Sequence, residues 1–253
     1  MPFRMMCVTA HPDDESGAFG GALLMANRDG VETSVLCLTD GQAAHFRGDV
    51  GADDNLGQVR RAEMEAAAEV LRITRHEVLH YPDGELRRED FYSLAGVVTG
   101  YIRRWRPQVV LTFSGDGGVN LHRDHTMASL AATSAFHWAG RPEFFPEQLS
   151  EELQPYAPQK LYYSSAPFIS VRERPELSGS PVAPYSLTLE PGEELSRRQL
   201  EAFQKHGSQG GVLERVGVQI RKAMERERYL LAAARGLISV SDDHALFAGV
   251  VED

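Results

Sequence analysis

Short, almost wholly apolar segments alternate with amphipathic ones through the first half of the chain, and this alternation restricts the fold more than any other feature. Phe3 to Thr9, Val31 to Leu38, Glu77 to Tyr81 and Val109 to Phe113 read as strands. Helical patterns follow them, at about Ser16 to Arg28, Leu56 to Leu71, Phe91 to Trp105 and Leu121 to Trp138. In the second of these, Val59, Met64, Ala67, Val70 and Leu71 are apolar; Arg106-Pro107 ends the third. Strands that are apolar throughout must be covered on both faces, and strand–helix–strand crossovers are right-handed. The expected fold is α/β: a Rossmann-like, mostly parallel sheet with helices on both faces.

The 253 residues suffice for one such domain, and 1–253 is read as a single domain. Most of the 13 prolines fall between Pro142 and Pro191. That Pro-rich region is expected to add short edge strands, Lys160 to Ser165 and Tyr185 to Leu189, packed on the sheet by its aromatic residues. Two closing helices are expected, about Glu193 to Lys205 and Leu213 to Arg235.

Open α/β sheets bind ligands beyond the carboxyl ends of their strands. Each expected strand end here carries a polar cluster. The first is Ala10-His11-Pro12-Asp13-Asp14-Glu15, the second Thr39-Asp40-Gly41 and the third Pro82-Asp83-Gly84. The fourth runs from Ser114 through Asp116-Gly117-Gly118 to His122-Arg123-Asp124-His125. His11 and Asp14 are three apart in a turn, and His122 and His125 share a face at a helix start. Two imidazoles and a carboxylate suit Zn²⁺ or Fe²⁺, and three protein ligands leave an open position for water. Asp13 would then stand beside that water as a free carboxylate able to take its proton. The remaining histidine would be a donor to an oxyanion. The plainer reading, a polar turn capping the helix near Ser16, explains the first cluster alone but not both clusters on one rim. Gly17-x-x-Gly20-Gly21 lacks the dinucleotide-binding spacing and reads as close packing; no Walker A or Gly-x-Ser-x-Gly sequence occurs.

The pairing of Ala10-His11-Pro12-Asp13-Asp14-Glu15 with His122-x-Asp124-His125 resembles the LmbE-like (PIG-L) zinc-dependent N-acetylglucosaminyl de-N-acetylases. Thr39-Asp40-Gly41, Arg60-x-x-Glu63, Pro82-Asp83-Gly84, Asp116-Gly117-Gly118 and Lys205-His206-x-Ser208-Gln209 resemble further, individually weaker family elements. The resemblance implies His11, Asp14 and His125 as zinc ligands, Asp13 as general base and His122 as the oxyanion donor. It implies Asp124 as a partner orienting a histidine, and Arg60 and Asp116 as substrate contacts. The cofactor implied is Zn²⁺, with Fe²⁺ or another divalent ion as alternatives. The substrate implied is a small-molecule amino sugar, for which N-acetylglucosaminyl-malate is the favoured example. Arg123 departs from the proline often found in the last motif.

Acidic residues outnumber basic ones 36 to 26, a net charge of −10 that argues against a nucleic-acid partner. No apolar run reaches the ~18 residues of a membrane span. Cys7 and Cys37 lie in apolar runs and are expected to be buried free thiols. These features are read as a cytoplasmic protein with no membrane partner, and they leave homo-oligomerisation open. Two competing functions remain at this level. A non-haem iron(II) oxygenase uses the same ligand types but commonly on a jelly roll. An inactive sugar-binding relative would have no use for Asp13.

Overall fold

The computed structural model describes residues 2–52, 54–164, 187–236 and 245–252. Its strands are β1 (Arg4–Thr9), β2 (Glu32–Thr39), β3 (Arg75–Tyr81), β4 (Val109–Phe113), β5 (Lys160–Ser164), β6 (Leu187–Leu189) and β7 (Glu227–Ala234). They form one sheet in the order β3-β2-β1-β4-β5-β7-β6. β1 runs parallel to β2 and β4, and β3 and β5 extend the parallel set on either side. β7 is antiparallel to both β5 and β6. The connection order reverses between β1 and β4, which opens a crevice beyond their carboxyl ends.

The covering helices are α1 (Asp14–Ala18), α2 (Gly20–Arg28), α3 (Leu56–Leu71), α4 (Phe91–Trp105), α5 (Arg123–Trp138), α6 (Gly192–Gln204) and α7 (Gly210–Glu225). Local chemistry sets several of their ends. The Asn55 side chain accepts from the Gln58 amide to start α3, and Asp90 accepts from Ser93 to start α4. Arg106 takes a left-handed conformation, φ 52°, and ends α4 just before Pro107. β1, β2 and β4 are almost entirely buried, which is why their apolar residues run consecutively (Met5 to Val8, Val35 to Leu38, Val109 to Leu111) instead of alternating.

The α/β reading of the sequence is correct, and three local expectations change. Lys160–Ser164 is an interior strand between β4 and β7, not an edge strand; only Leu187–Leu189 lies at the edge. Residues 165–186, which hold the remainder of the expected edge strands, fall outside the described residues. The helix expected from Leu213 to Arg235 ends at Glu225, and Glu227–Ala234 is a strand. Tyr229 to Ala234 has good helix formers, but β5 offers an open ladder on that side, and pairing overrides propensity. The helix expected from Ser16 to Arg28 breaks at Phe19, whose ring drops into the core against Phe113, 5.2 Å between centroids.

The glycines around that break have a close-packing role, as expected. A Cβ on Gly21 would lie 2.7 Å from a carboxylate oxygen of Glu227, and one on Gly20 2.6 Å from Gln199. Glu227 accepts the Gly21 and Ala22 amides at 2.8 and 2.9 Å, so β7 supplies the cap that α2 lacks in its own sequence. Cys7 and Cys37 are buried free thiols. Among the described residues, no helix is long and apolar enough to cross a membrane.

Candidate metal centre

The crevice between β1 and β4 gathers residues from two turns. β1 leads into His11 and Asp14, and β4 leads through a Gly-rich turn to His122 and His125 at the start of α5. His11, Asp14 and His125 are all buried, and each offers a ligand atom within 4.8 Å of the others.

What each side chain does with its other polar atom determines which atom is free. Asp14 Oδ2 accepts the Ala10 and His11 amides at 3.1 and 2.8 Å. Its Oδ1 lies 3.1 Å from His125 Nε2. His125 Nδ1 donates to the Gly117 carbonyl at 3.1 Å, which leaves Nε2 with its lone pair. The Phe113 ring stacks flat on His125 at 3.9 Å and fixes its plane. His11 Nε2 faces Asp83 Oδ1 at 3.1 Å and Asp124 Oδ2 at 3.4 Å. Donating there leaves His11 Nδ1, 3.7 Å from Asp14, as the free nitrogen. Each of the three side chains thus keeps one ligand atom untied while the other is held by the protein.

Asp124, fully buried, accepts the Gly84 and Leu86 amides at 2.6 and 3.2 Å as well as facing His11. The histidine it touches through its side chain is thus His11, on the other turn. Asp83 is a residue to which sequence reasoning attaches no role. Its motif is visible, but its contact with His11 depends on β3 and β1 lying two strands apart in the sheet. Asp83, His11 and His122 are also mutually within ligand reach, but in that trio Asp83 meets the His11 nitrogen already shared with Asp124.

Electrostatics follow from this crowding. Burial disfavours charge on His11, but the hydrogen bonds to Asp124 and Asp83 and the charge of Asp14 prevail and raise it to about 10. Burial would raise Asp14, yet His125 and His11 hold it well below the usual carboxylate range. Without a metal, a proton on His11 supplies the positive charge that these carboxylates require.

His122 is the N-cap of α5. Its Nδ1 accepts the Asp124 amide at 3.2 Å, so the neutral ring carries its hydrogen on Nε2. Burial and the neighbouring His11 and His125 keep it below the ordinary histidine value, hence neutral near pH 7.

Asp13 has φ 123°, a conformation that costs a non-glycine residue about 1–3 kcal/mol. Its amide donates to Glu15 Oε2 at 3.0 Å and its carbonyl accepts from Gly17 at 2.8 Å. Burial raises its carboxyl to about 6, against the pull of Arg60. Arg60 reaches Asp13 Oδ2 at 3.1 Å, the Gly41 carbonyl at 3.0 Å and the Pro12 carbonyl. At 2% exposure, Arg60 has little surface with which to meet a substrate, and its visible partners are the turns after β1 and β2. Asp116 is exposed and accepts from Ser114 and the Gly118 amide, shaping the turn before His122. His206, without an assigned role from sequence, is buried and donates to Glu15 at 2.7 Å.

A family model described as PIG-L, GlcNAc-PI de-N-acetylase, matches residues 6–136. The chain is 33% identical over 180 residues to a mycothiol S-conjugate amidase of Streptomyces coelicolor, covering 64% of this chain and 60% of that one. It is 30% identical over 188 residues to a 1D-myo-inositol 2-acetamido-2-deoxy-alpha-D-glucopyranoside deacetylase of Streptomyces avermitilis, covering 65% and 62%. It therefore spans about three fifths of the length of these curated relatives. Among solved structures, an N,N'-diacetylchitobiose deacetylase from Pyrococcus horikoshii superimposes with a TM-score of 0.72 at 20% identity. That superposition covers 89% of this chain and 82% of that one, a likeness of fold.

Proposed function

Since the chain belongs to the GlcNAc-PI de-N-acetylase (PIG-L) family, we propose that it is a metal-dependent hydrolase that removes the acetyl group from an N-acetylglucosamine conjugate. The favoured substrate class is a small, soluble glucosaminide of the kind that precedes low-molecular-weight thiols. N-acetylglucosaminyl-malate and N-acetylglucosaminyl-inositol are its two test members.

The observation that carries this reading is that His11, Asp14 and His125 each bring one ligand atom within 4.8 Å of the others, beside a carboxylate, Asp13, that is not one of the three. The donor set fits a divalent ion of the zinc type: two imidazoles and one carboxylate, with His11 and His125 each hydrogen-bonded through the other ring nitrogen. When bound, such an ion supplies a Lewis acid that polarises a carbonyl and makes water acidic enough to lose a proton near neutral pH.

The chain's own residues do the rest. Asp13, held by Arg60, accepts a proton from the water that attacks the acetamide carbon. His122, neutral with hydrogen on Nε2, donates to the carbonyl oxygen as negative charge builds there. The C–N bond then breaks, and Asp13 returns its proton to the departing amine. Acetate and a free amino sugar are the products, with one water consumed.

A non-haem iron oxygenase would commonly use a jelly-roll scaffold, whereas this sheet is mainly parallel. The test is acetate release from both glucosaminides by the purified, metal-analysed protein before and after chelation. Activity on at least one substrate, abolished by chelation and restored by Zn²⁺ or Fe²⁺, is the expected result. Metal binding with no acetate from either substrate would remove the deacetylase reading.

A further inference from the structure

Two elements that the sequence shows far apart, Arg60-x-x-Glu63 and His206-x-Ser208, meet behind Asp13. Arg60 and Glu63 lie three apart on α3 and so share a face. Arg60 holds the Asp13 carboxylate at 3.1 Å. Glu63 accepts the Ser208 amide at 2.7 Å and its hydroxyl at 2.6 Å, fixing the turn that follows α6. That turn sends the buried His206 ring onto Glu15, Nε2 to Oε1 at 2.7 Å. Glu15 is fully buried, and its other oxygen receives the Asp13 amide at 3.0 Å. These bonds, joined through α3 between Arg60 and Glu63 and through the turn between His206 and Ser208, close a ring: Asp13, Arg60, Glu63, Ser208, His206, Glu15 and back to Asp13.

We propose that this ring is a clamp and that His206 is a positioning residue for Asp13, acting through Glu15; the proposal rests on the reading of Asp13 as the base. The backbone at Asp13 needs holding, because φ 123° is a conformation that a side-chain-bearing residue leaves when its restraints are removed. Arg60 restrains the carboxylate from one side. Glu15 restrains the amide from the other, and Glu15 itself is oriented by His206 and the Ser16 hydroxyl at 2.7 Å. Removing His206 leaves a buried carboxylate free to turn away from the Asp13 amide. His206 lies behind Glu15 and supplies none of the three converging ligand atoms, so its loss should leave the metal site filled.

The experiment is a double-mutant cycle on the metal-loaded protein with steady-state kinetics and metal analysis. His206→Ala should lower kcat by roughly 10–100-fold, the scale of a small misplacement of a catalytic group, with KM and metal content near wild type. His206→Gln, whose amide can still donate to Glu15, should recover most of that loss. Ser208→Ala loosens the clamp at its far end and should give a smaller loss in the same direction. In the Asp13→Asn background, His206→Ala should cause no further loss, because there is no base left to position. A His206→Ala protein that melts lower but turns over normally would overturn the proposal, as would an equal fall in kcat in both backgrounds. A fully active Asp13→Asn protein would instead overturn the reading of Asp13 as the base, independently of what His206 does.

Discussion

Glu227 and Asp14 are both buried carboxylates reached by backbone amides, yet their surroundings are opposite. Glu227 takes four neutral donors: the Gly21 and Ala22 amides, the Gln199 amide nitrogen at 2.9 Å and the Tyr229 hydroxyl at 2.8 Å. Both its oxygens are filled, and no cation faces it in that set. Its carboxyl is raised because burial outweighs these bonds. Asp14 keeps one oxygen directed at His125, and Asp83 and Asp124 crowd His11 from the other side. These three carboxyls are held low, burial notwithstanding, by the histidines beside them. The difference teaches how to separate scaffold from site. A carboxylate saturated by neutral donors docks one element on another, whereas several carboxylates converging on shared imidazoles mark a place where positive charge belongs.

The sharpest test of that contrast is His125→Ala. Removing one of three proposed ligands should strip the metal and bring acetate release to background, with zinc content measured on the purified protein. Retained metal at wild-type stoichiometry would move the centre elsewhere. Next in size is Asp13→Asn, which keeps the shape and removes the proposed base. Metal should remain while turnover falls by roughly 10²–10⁴. His122→Ala should follow with a fall of roughly 10²–10³ and near-normal metal, since only the proposed oxyanion donor is lost. If it lost metal as His125→Ala does, donor and ligand would have been exchanged.

Glu227→Gln belongs to the other side of the comparison. It should destabilise the fold by about 1–3 kcal/mol, since an amide nitrogen facing donors accepts none of them, whereas either oxygen of Glu227, protonated or not, can accept. Metal content and turnover per folded molecule should not change, as read by thermal melts beside activity. Any metal loss here would join the two groups that the structure keeps apart.

The smallest effect is a difference in the sign of pH dependence, measured on the metal-free protein. Glu227 has a folded-state value above its unfolded one. Its contribution is therefore full below about pH 4.3 and is lost as pH rises through the folded value. Asp124 has a folded-state value below its unfolded one, so its contribution is present above about pH 3.9 and is lost as pH falls. The melting-temperature deficit of Glu227→Gln should accordingly be larger at pH 4 than at pH 8. That of Asp124→Asn should be larger at pH 8 than in acid. Parallel melting curves for the two variants would erase the distinction.

Much of the fold and of the site is legible in the amino-acid sequence. The apolar runs place β1, β2 and β4, and the periodic stretches place α3 and α4 at their observed bounds, because each signal is local and strong. His11, Asp14, His122 and His125 stand out because their spacing within each turn is itself a short-range constraint. Asp83 is visible only as part of a turn, and Glu15 only as the last letter of a motif. The family resemblance makes Arg60 a sugar contact, yet the structure ties its guanidinium to Pro12 and Asp13 on one turn and to Gly41 on the next.

What the sequence determined alone is the alternation of strand and helix and the ligand-type residues at the strand ends. These depend on neighbours a few positions away, and backbone geometry converts spacing directly into a shared face or a turn. Tertiary structure alone decided that β7 is a strand, that Glu227 caps a helix 206 residues earlier, and that His206 meets Glu15 across 191 residues. Each depends on which elements become neighbours in the sheet and around it. Helix propensity in Tyr229 to Ala234 is worth a fraction of a kcal/mol per residue, less than the ladder bonds and burial that β5 offers. Long-range partners leave no periodic trace in the chain, so their meeting is a product of the fold.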